Sequence, residues 1–282
     1  MKAALVLAAP MLAVAVLASA DVTITSSMTG RAGNAPGGPA GRASSTDVSG
    51  TQVSFYKGAK LRTDSTMRGT TRTTIVDLGA KTIFVIDHAA KSAIRHAITQ
   101  STGDAKATMT DVTLTPTGKT RILLGQSSDE YAWSITFVDF PASNGAARKT
   151  RWTVSGTAWL VSGGPLNADY TSFHATAADL GLPVNAPAPP VARNLAAATA
   201  AVQVALAARG VAYALDSAVA FEDITTSDTL LDRQPVPPGA PRTQAGNGGT
   251  SSMVVTKVSA DPIPDSTFEV PAGYSVKSAS VR

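Results

Sequence analysis

The chain contains no cysteine. Disulfides are therefore excluded, and with them thiol catalysis, cysteine metal sites and the lipid-bearing cysteine of a bacterial lipoprotein. Aromatic residues make up only 5% of the chain, which leaves little for a base-stacking surface. After residue 20 no apolar run approaches the roughly 20 residues that span a bilayer. The nucleophile motif G-x-S-x-G and the zinc motif H-E-x-x-H are both missing. The glycines at 37–41 and 245–249 lack the strand-to-helix setting and the lysine of a phosphate loop. Charge of one sign is lacking too. Without Lys2, 23 basic residues face 20 acidic ones, a dispersed excess of three that does not indicate nucleic acid.

What is present begins with Met1-Lys2 and an apolar run over residues 3–17, followed by Ala18-Ser19-Ala20. One positive charge, a short apolar core and small residues at the end predict a secretory signal peptide over residues 1–20. Cleavage is expected after Ala20. An N-terminal anchor is the alternative, but the run is short and ends in a cleavage motif. Residues 21–282 are then expected as one soluble domain, periplasmic or secreted, rich in Thr, Ser, Val and Ala.

Residues 53–98 organise this domain. Three turn signals, at 57–60, 77–81 and 87–91, separate stretches that favour strands, which predicts an antiparallel meander. Ile83 and Val85 alternate with Phe84 and Ile86, so this strand is apolar on both faces and is expected to be central, with a helix packed on it. Further strands are expected at 21–29, 130–139, 151–161, 211–222 and 252–259, and a hairpin over 111–124 around Thr117-Gly118. Gly156 suggests a bulge or a close backbone approach. Residues 31–45, 183–190 and 231–249 read as loops or a stiff Pro-rich linker. Residues 167–181 read as a short helix. Residues 195–208 read as an alanine-rich helix, apolar nearly all round and therefore buried. Many strands, two helices, then strands again predict a mainly β (α+β) chain with the sheet folded around a helical insert.

The stretches F-Y-K-G-A-K-L-R-T-D (55–64) and V-D-L-G-A-K-T-I-F-V-I-D-H-A-A-K-S (76–92) resemble the LolA/LolB-like proteins, exported carriers of lipoproteins. So does the ending D-S-T-F-E-V-P-A-G-Y (265–274). The likeness is closer to relatives of that fold known as domains of unknown function. It implies an antiparallel sheet curled into an incomplete barrel, with two helices plugging or lidding an apolar concave face. It also implies a lipid or lipoprotein acyl chain as the partner. The long loops and the Pro-rich linker depart from the pattern, and no functional residue is carried over from the family.

Three histidines could do chemistry: His88, His96 and His174. His88 lies in a turn and reads as solvated. His96 shares a mostly apolar face with Ile94 and Ile98, and a metal there would require it to meet His88 or Asp87 across the hairpin. No metal and no cofactor is expected. Asp77 and Asp87 read as turn caps. Lys57, Lys60, Arg62, Arg68 and Arg72 cluster around one hairpin, either as a solvated edge or as a docking patch for an anionic partner. Phe55, Ile83, Val85, Ile94, Trp133, Trp152, Trp159, Leu195, Val202 and Leu206 are the candidate apolar ligand face.

Two non-enzymatic readings follow. One is a binding or carrier protein for a lipid-like or apolar ligand. The other is a structural or protein-interaction module of the cell envelope, its barrel filled by its own helix. An open apolar groove favours the first and a core closed around residues 195–208 the second. A hydrolase would need a serine or aspartate beside His96 or His174 in a cleft.

Overall fold

A computed structural model describes residues 21–33, 47–98, 110–139, 150–163, 165–180, 182, 193–223 and 245–279. The expected signal peptide and the linker over 183–190 lie outside the described residues.

Twelve strands form one sheet. In chain order they are β1 (Val22–Ala32), β2 (Asp47–Lys57), β3 (Lys60–Met67), β4 (Thr70–Asp77), β5 (Thr82–Asp87), β6 (Ser92–Ala97), β7 (Thr113–Leu123), β8 (Gln126–Asp139), β9 (Thr150–Val161), β10 (Val211–Asp223), β11 (Ala245–Ser259) and β12 (Ser275–Ser278). Helices α1 (Pro165–Asp179) and α2 (Arg193–Ala207) come between β9 and β10. The spatial order is β12-β6-β5-β4-β3-β2-β1-β11-β10-β9-β8-β7. All pairings are antiparallel except β12 on β6. The sheet curls but does not close, since β7 and β12 each pair on one side only.

The meander is β2–β6. Its turns reverse the chain where left-handed backbone is allowed: at Gly58, at Arg68-Gly69, at Lys81 and at Lys91. Asp77 and Asp87 cap their turns, each accepting a hydrogen bond from a backbone N–H three residues on, those of Ala80 (2.7 Å) and Ala90 (3.0 Å).

The hairpin expected around Thr117-Gly118 does not form. Residues 113–123 are one strand, and Thr117-Gly118 falls within an irregularity in its ladder with β8. The chain reverses at Leu124-Gly125, both left-handed (φ 48° and 76°), which suits a two-residue hairpin turn. β11 begins at Ala245, so the loop expected over 231–249 ends sooner.

The backbones of β9 and β10 approach closely at Gly156. A Cβ there would run into the carbonyl oxygen of Asp216 in β10, so no side chain fits. The curl brings Ile83 of β5 and Leu123 of β7, from opposite ends of the sheet, against one apolar cluster beneath α1.

Candidate functional site

Side chains alternate between the faces of a strand, so the register sorts them. Tyr56 packs on α1. Leu61, Val76, Ile83 and His96 lie in line with it across β3–β6. Val22 lies opposite it in β1. This is the concave face, covered over β1–β4 but open at β6, where Ile94 and His96 are exposed. Phe173 and Ala177 of α1, with Tyr170 and Leu180, pack on Val22, Ile24, Tyr56, Leu61 and Val76. Ala198, Val202 and Leu206 of α2 pack on Trp133, Ile135, Phe137, Val154 and Leu160. The alanines of α2 let its axis lie close to the strands. Thr171 in α1 ties the helices together, its hydroxyl donating to the carbonyl of Ala207 (3.0 Å).

The seam between helices and sheet is rich in unmatched polar groups. His174 is 1% exposed. Its ring lies 4.4 Å from that of Tyr170 and 5.8–5.9 Å from Phe173 and Tyr56. Its Nε2 makes one long contact, 3.4 Å, with the Tyr56 hydroxyl, and its Nδ1 has no partner. Trp133 Nε1 and Gln203 Oε1 are likewise buried without a partner. Burial holds His174 down at a pKa of about 4 and pushes Tyr170 up to about 12. Tyr56 is raised well above the usual tyrosine value, by burial first and then by Tyr170.

Seven of the ten candidate ligand-face residues lie here. Trp133, Val202 and Leu206 are buried, while Trp152 and Ile83 are half-buried against the two clusters. Val85 is half-buried, and Ile94 is 44% exposed. Leu195 lies in α2, but its side chain is outside the described residues. Phe55 and Trp159 belong to the opposite face. Each is one residue out of step with the inward set, beside Tyr56 and between Ala158 and Leu160. Trp159 takes the Arg121 guanidinium over its ring at 4.0 Å.

That opposite face carries what the sequence reading missed. The doubly apolar β5 is third from one edge of the sheet, and its main cover is not the expected helix; on the concave side Ile83 packs at the margin of the α1 cluster and Val85 stays half-buried. Residues 260–279 run across β2–β6 as a strap. Ile263, Phe268, Val270 and Tyr274 pack on Phe55, Ile75, Phe84, Ile86 and Ala93. Both helices instead centre on other strands: α1 on β1, β2 and β10, and α2 on β8 and β10.

The basic cluster divides at the strap. Lys57 Nζ donates to the carbonyl of Ile263 (2.6 Å) and pairs with Asp265 (3.0 Å). Hydrogen bonding to Asp265 raises Lys57, and the same bond lowers Asp265. Arg62 bonds Asp64 and the carbonyl of Thr267. These two cations are structural; Arg68 and Arg72 are exposed.

His88 is not simply solvated. Tyr274 Oη lies 3.0 Å from its Nδ1 and Thr73 Oγ1 lies 2.8 Å from its Nε2. Thr73 donates to Asp64, so its oxygen accepts from the N–H at Nε2 of His88. Thr73 is fully buried and its hydroxyl is committed at both ends. His96 points to the concave face, is exposed, and sits opposite Ile83 at the far end of the hairpin from His88. The metal pairing of His96 with His88 or Asp87 is therefore not formed. Among the described residues no three His, Asp or Glu side chains could hold a metal ion.

A cleft of about 730 Å³ crosses β1, β2, β9, β10 and β11. Its lining includes Ser155, Thr157, Ser217, Thr250 and Ser251, together with Val48, Gly156 and Ala218, and more of the lining surface is carbon than oxygen or nitrogen. No helix among the described residues is long and apolar enough to cross a membrane.

No protein-family model matches the chain, and no curated protein matches it.

Proposed function

We propose that the chain is a non-enzymatic, exported interaction module of the cell envelope, its curled sheet filled by its own helices. One observation carries this reading. Phe173, Ala177, Ala198, Val202 and Leu206 occupy the concave face where an apolar ligand would lie. The test is titration of a fluorescent fatty acid at pH 7.5. This reading expects no saturable binding; saturable one-to-one binding, competed by unlabelled fatty acid, overturns it.

The carrier reading keeps one specific observation in its favour. Trp133 Nε1, His174 Nδ1 and Gln203 Oε1, all at the seam between helices and sheet, are buried without partners. Orphaned polar atoms cost about 1–3 kcal/mol each, so this seam is the weak layer of the fold. Val85 and Ile94 extend the apolar surface toward the edge of the sheet. Under this reading a lipid or lipoprotein acyl chain would displace α2 and lie on Trp133, Ile135 and Val154.

A further inference from the structure

His174 is the one titratable group of α1 that is buried against the sheet with its charge unprovided for. α1 packs on β1, β2, β10 and α2. From β2 the group that meets His174 is Tyr56, and β10 brings Tyr213 to the same cluster. The described side chains of α2, residues 197–207, carry no ionisable group. Asp21, just ahead of β1, is engaged at the strap with Lys57 and the N–H of Ile263. On α1 itself, Asp169 and Asp179 each stand five residues from His174, about 140° around the helix. Tyr170 lies tilted against the ring, 4.4 Å between centroids, as a neutral phenol. Among the described residues of these elements no carboxylate is recorded in contact with the imidazole.

An imidazolium has two N–H donors. At this position the Tyr56 oxygen can accept one, at 3.4 Å, and nothing accepts the other. A proton taken up from solvent would leave a buried, half-satisfied cation. The least costly remedy is local. Each strand is held to its neighbours by a ladder of backbone hydrogen bonds, whereas α1 spends its backbone bonds within itself; Thr171 to Ala207 and the long Tyr56 contact are among its polar ties, and Asp169 is engaged as well.

We propose that α1 is an acid-sensitive flap: protonation of His174 lifts it from the sheet and uncovers the concave face while the strands stay paired. The inference rests on the packing of α1 and holds whether the uncovered face meets a protein or a lipid. The sign is fixed by linkage. The lifted state has a free histidine titrating near 6.5, and the docked state protonates only near 4. The lifted fraction is therefore constant above about pH 7 and grows as pH falls through 6 and 5. From pH 7.5 to pH 5 the opening constant rises roughly 25-fold.

The experiment is hydrogen exchange with mass spectrometry on the whole protein at pH 7.5, 6 and 5, corrected for intrinsic exchange rates. Peptides from residues 165–182 should lose protection by roughly 25-fold at pH 5, peptides from β1, β2 and β10 should hold theirs, and His174→Gln should flatten the pH response of α1. Equal protection of α1 at all three pH values overturns the proposal. So does loss of protection in the strands in step with α1, or a pH response that survives in His174→Gln. Should that variant not fold, the comparison of α1 with the strands in the natural chain decides alone. Fatty-acid binding at pH 7.5 would sink the self-filled reading and leave this one standing.

Discussion

At the scale of single residues, the positions that matter are those where a side chain or a missing one is forced by a neighbour. Gly156 is the clearest. Any side chain there meets the backbone of β10, which has no flexible end to swing away. Gly156→Ala should cost about 2–4 kcal/mol, read from urea unfolding; a cost below about 0.5 kcal/mol would mean that the approach is not tight. Gln203 is the opposite case. Its buried carbonyl oxygen has no partner, so Gln203→Met removes a burden at nearly constant volume. Stability should rise by about 1 kcal/mol, and a fall of that size would show an unseen partner. His174 gives the pH dependence. Its folded pKa, about 4, lies below the unfolded value near 6.5. The unfolded chain therefore binds the extra proton first. This contribution is fully present above about pH 6.5 and is lost as pH falls toward 4, by roughly 3 kcal/mol in total. The loss stops growing once lifting α1 becomes cheaper than keeping the ring neutral. Sequence could name His174 as one of three histidines, but not that it alone would be buried without an acceptor, because that depends on which helix face meets the sheet.

At the scale of elements, the strap covers one face of the sheet, and α1 with α2 covers the other. Phe268 is the anchor of the first, 8% exposed among Ile75, Ile86 and Ile263. Phe268→Ala should destabilise by about 3–5 kcal/mol and should make residues 260–279 accessible to protease before the strands. Unchanged stability would mean that the strap adds little beyond its hydrogen bonds. The meander was legible because Asp and Gly mark three of its turns, and both Asp caps form. The hairpin at Thr117-Gly118 was misplaced for a physical reason. A Thr-Gly pair serves a ladder irregularity as well as a turn, and the true turn at Leu124-Gly125 puts a leucine in left-handed backbone, which local propensity discourages. The strap was invisible as a cover because residues 260–274 have neither strand nor helix periodicity. Only their apolar residues, Ile263, Phe268, Val270 and Tyr274, hinted that they pack.

At the scale of the whole molecule, the curl decides what each face does. Mainly β content, two helices and a sheet wrapped around them followed from the order of strand and helix signals. The site of helix docking did not. β5 is apolar on both faces, and sequence alone cannot say that a strap will take one of them while α1 and α2 centre on β1, β2, β8 and β10. Of the candidate ligand face, Phe55 and Trp159 fell on the wrong side because a bulky aromatic reads the same at either phase of a strand until its neighbours fix the register. The central claim is that the concave face is filled by the chain itself. Native mass spectrometry of protein purified without detergent from an envelope fraction tests it most directly. A single species at the mass of the polypeptide is predicted, with no lipid recovered on extraction. A stoichiometric adduct of lipid mass, released together with loss of protection in α2, would contradict it.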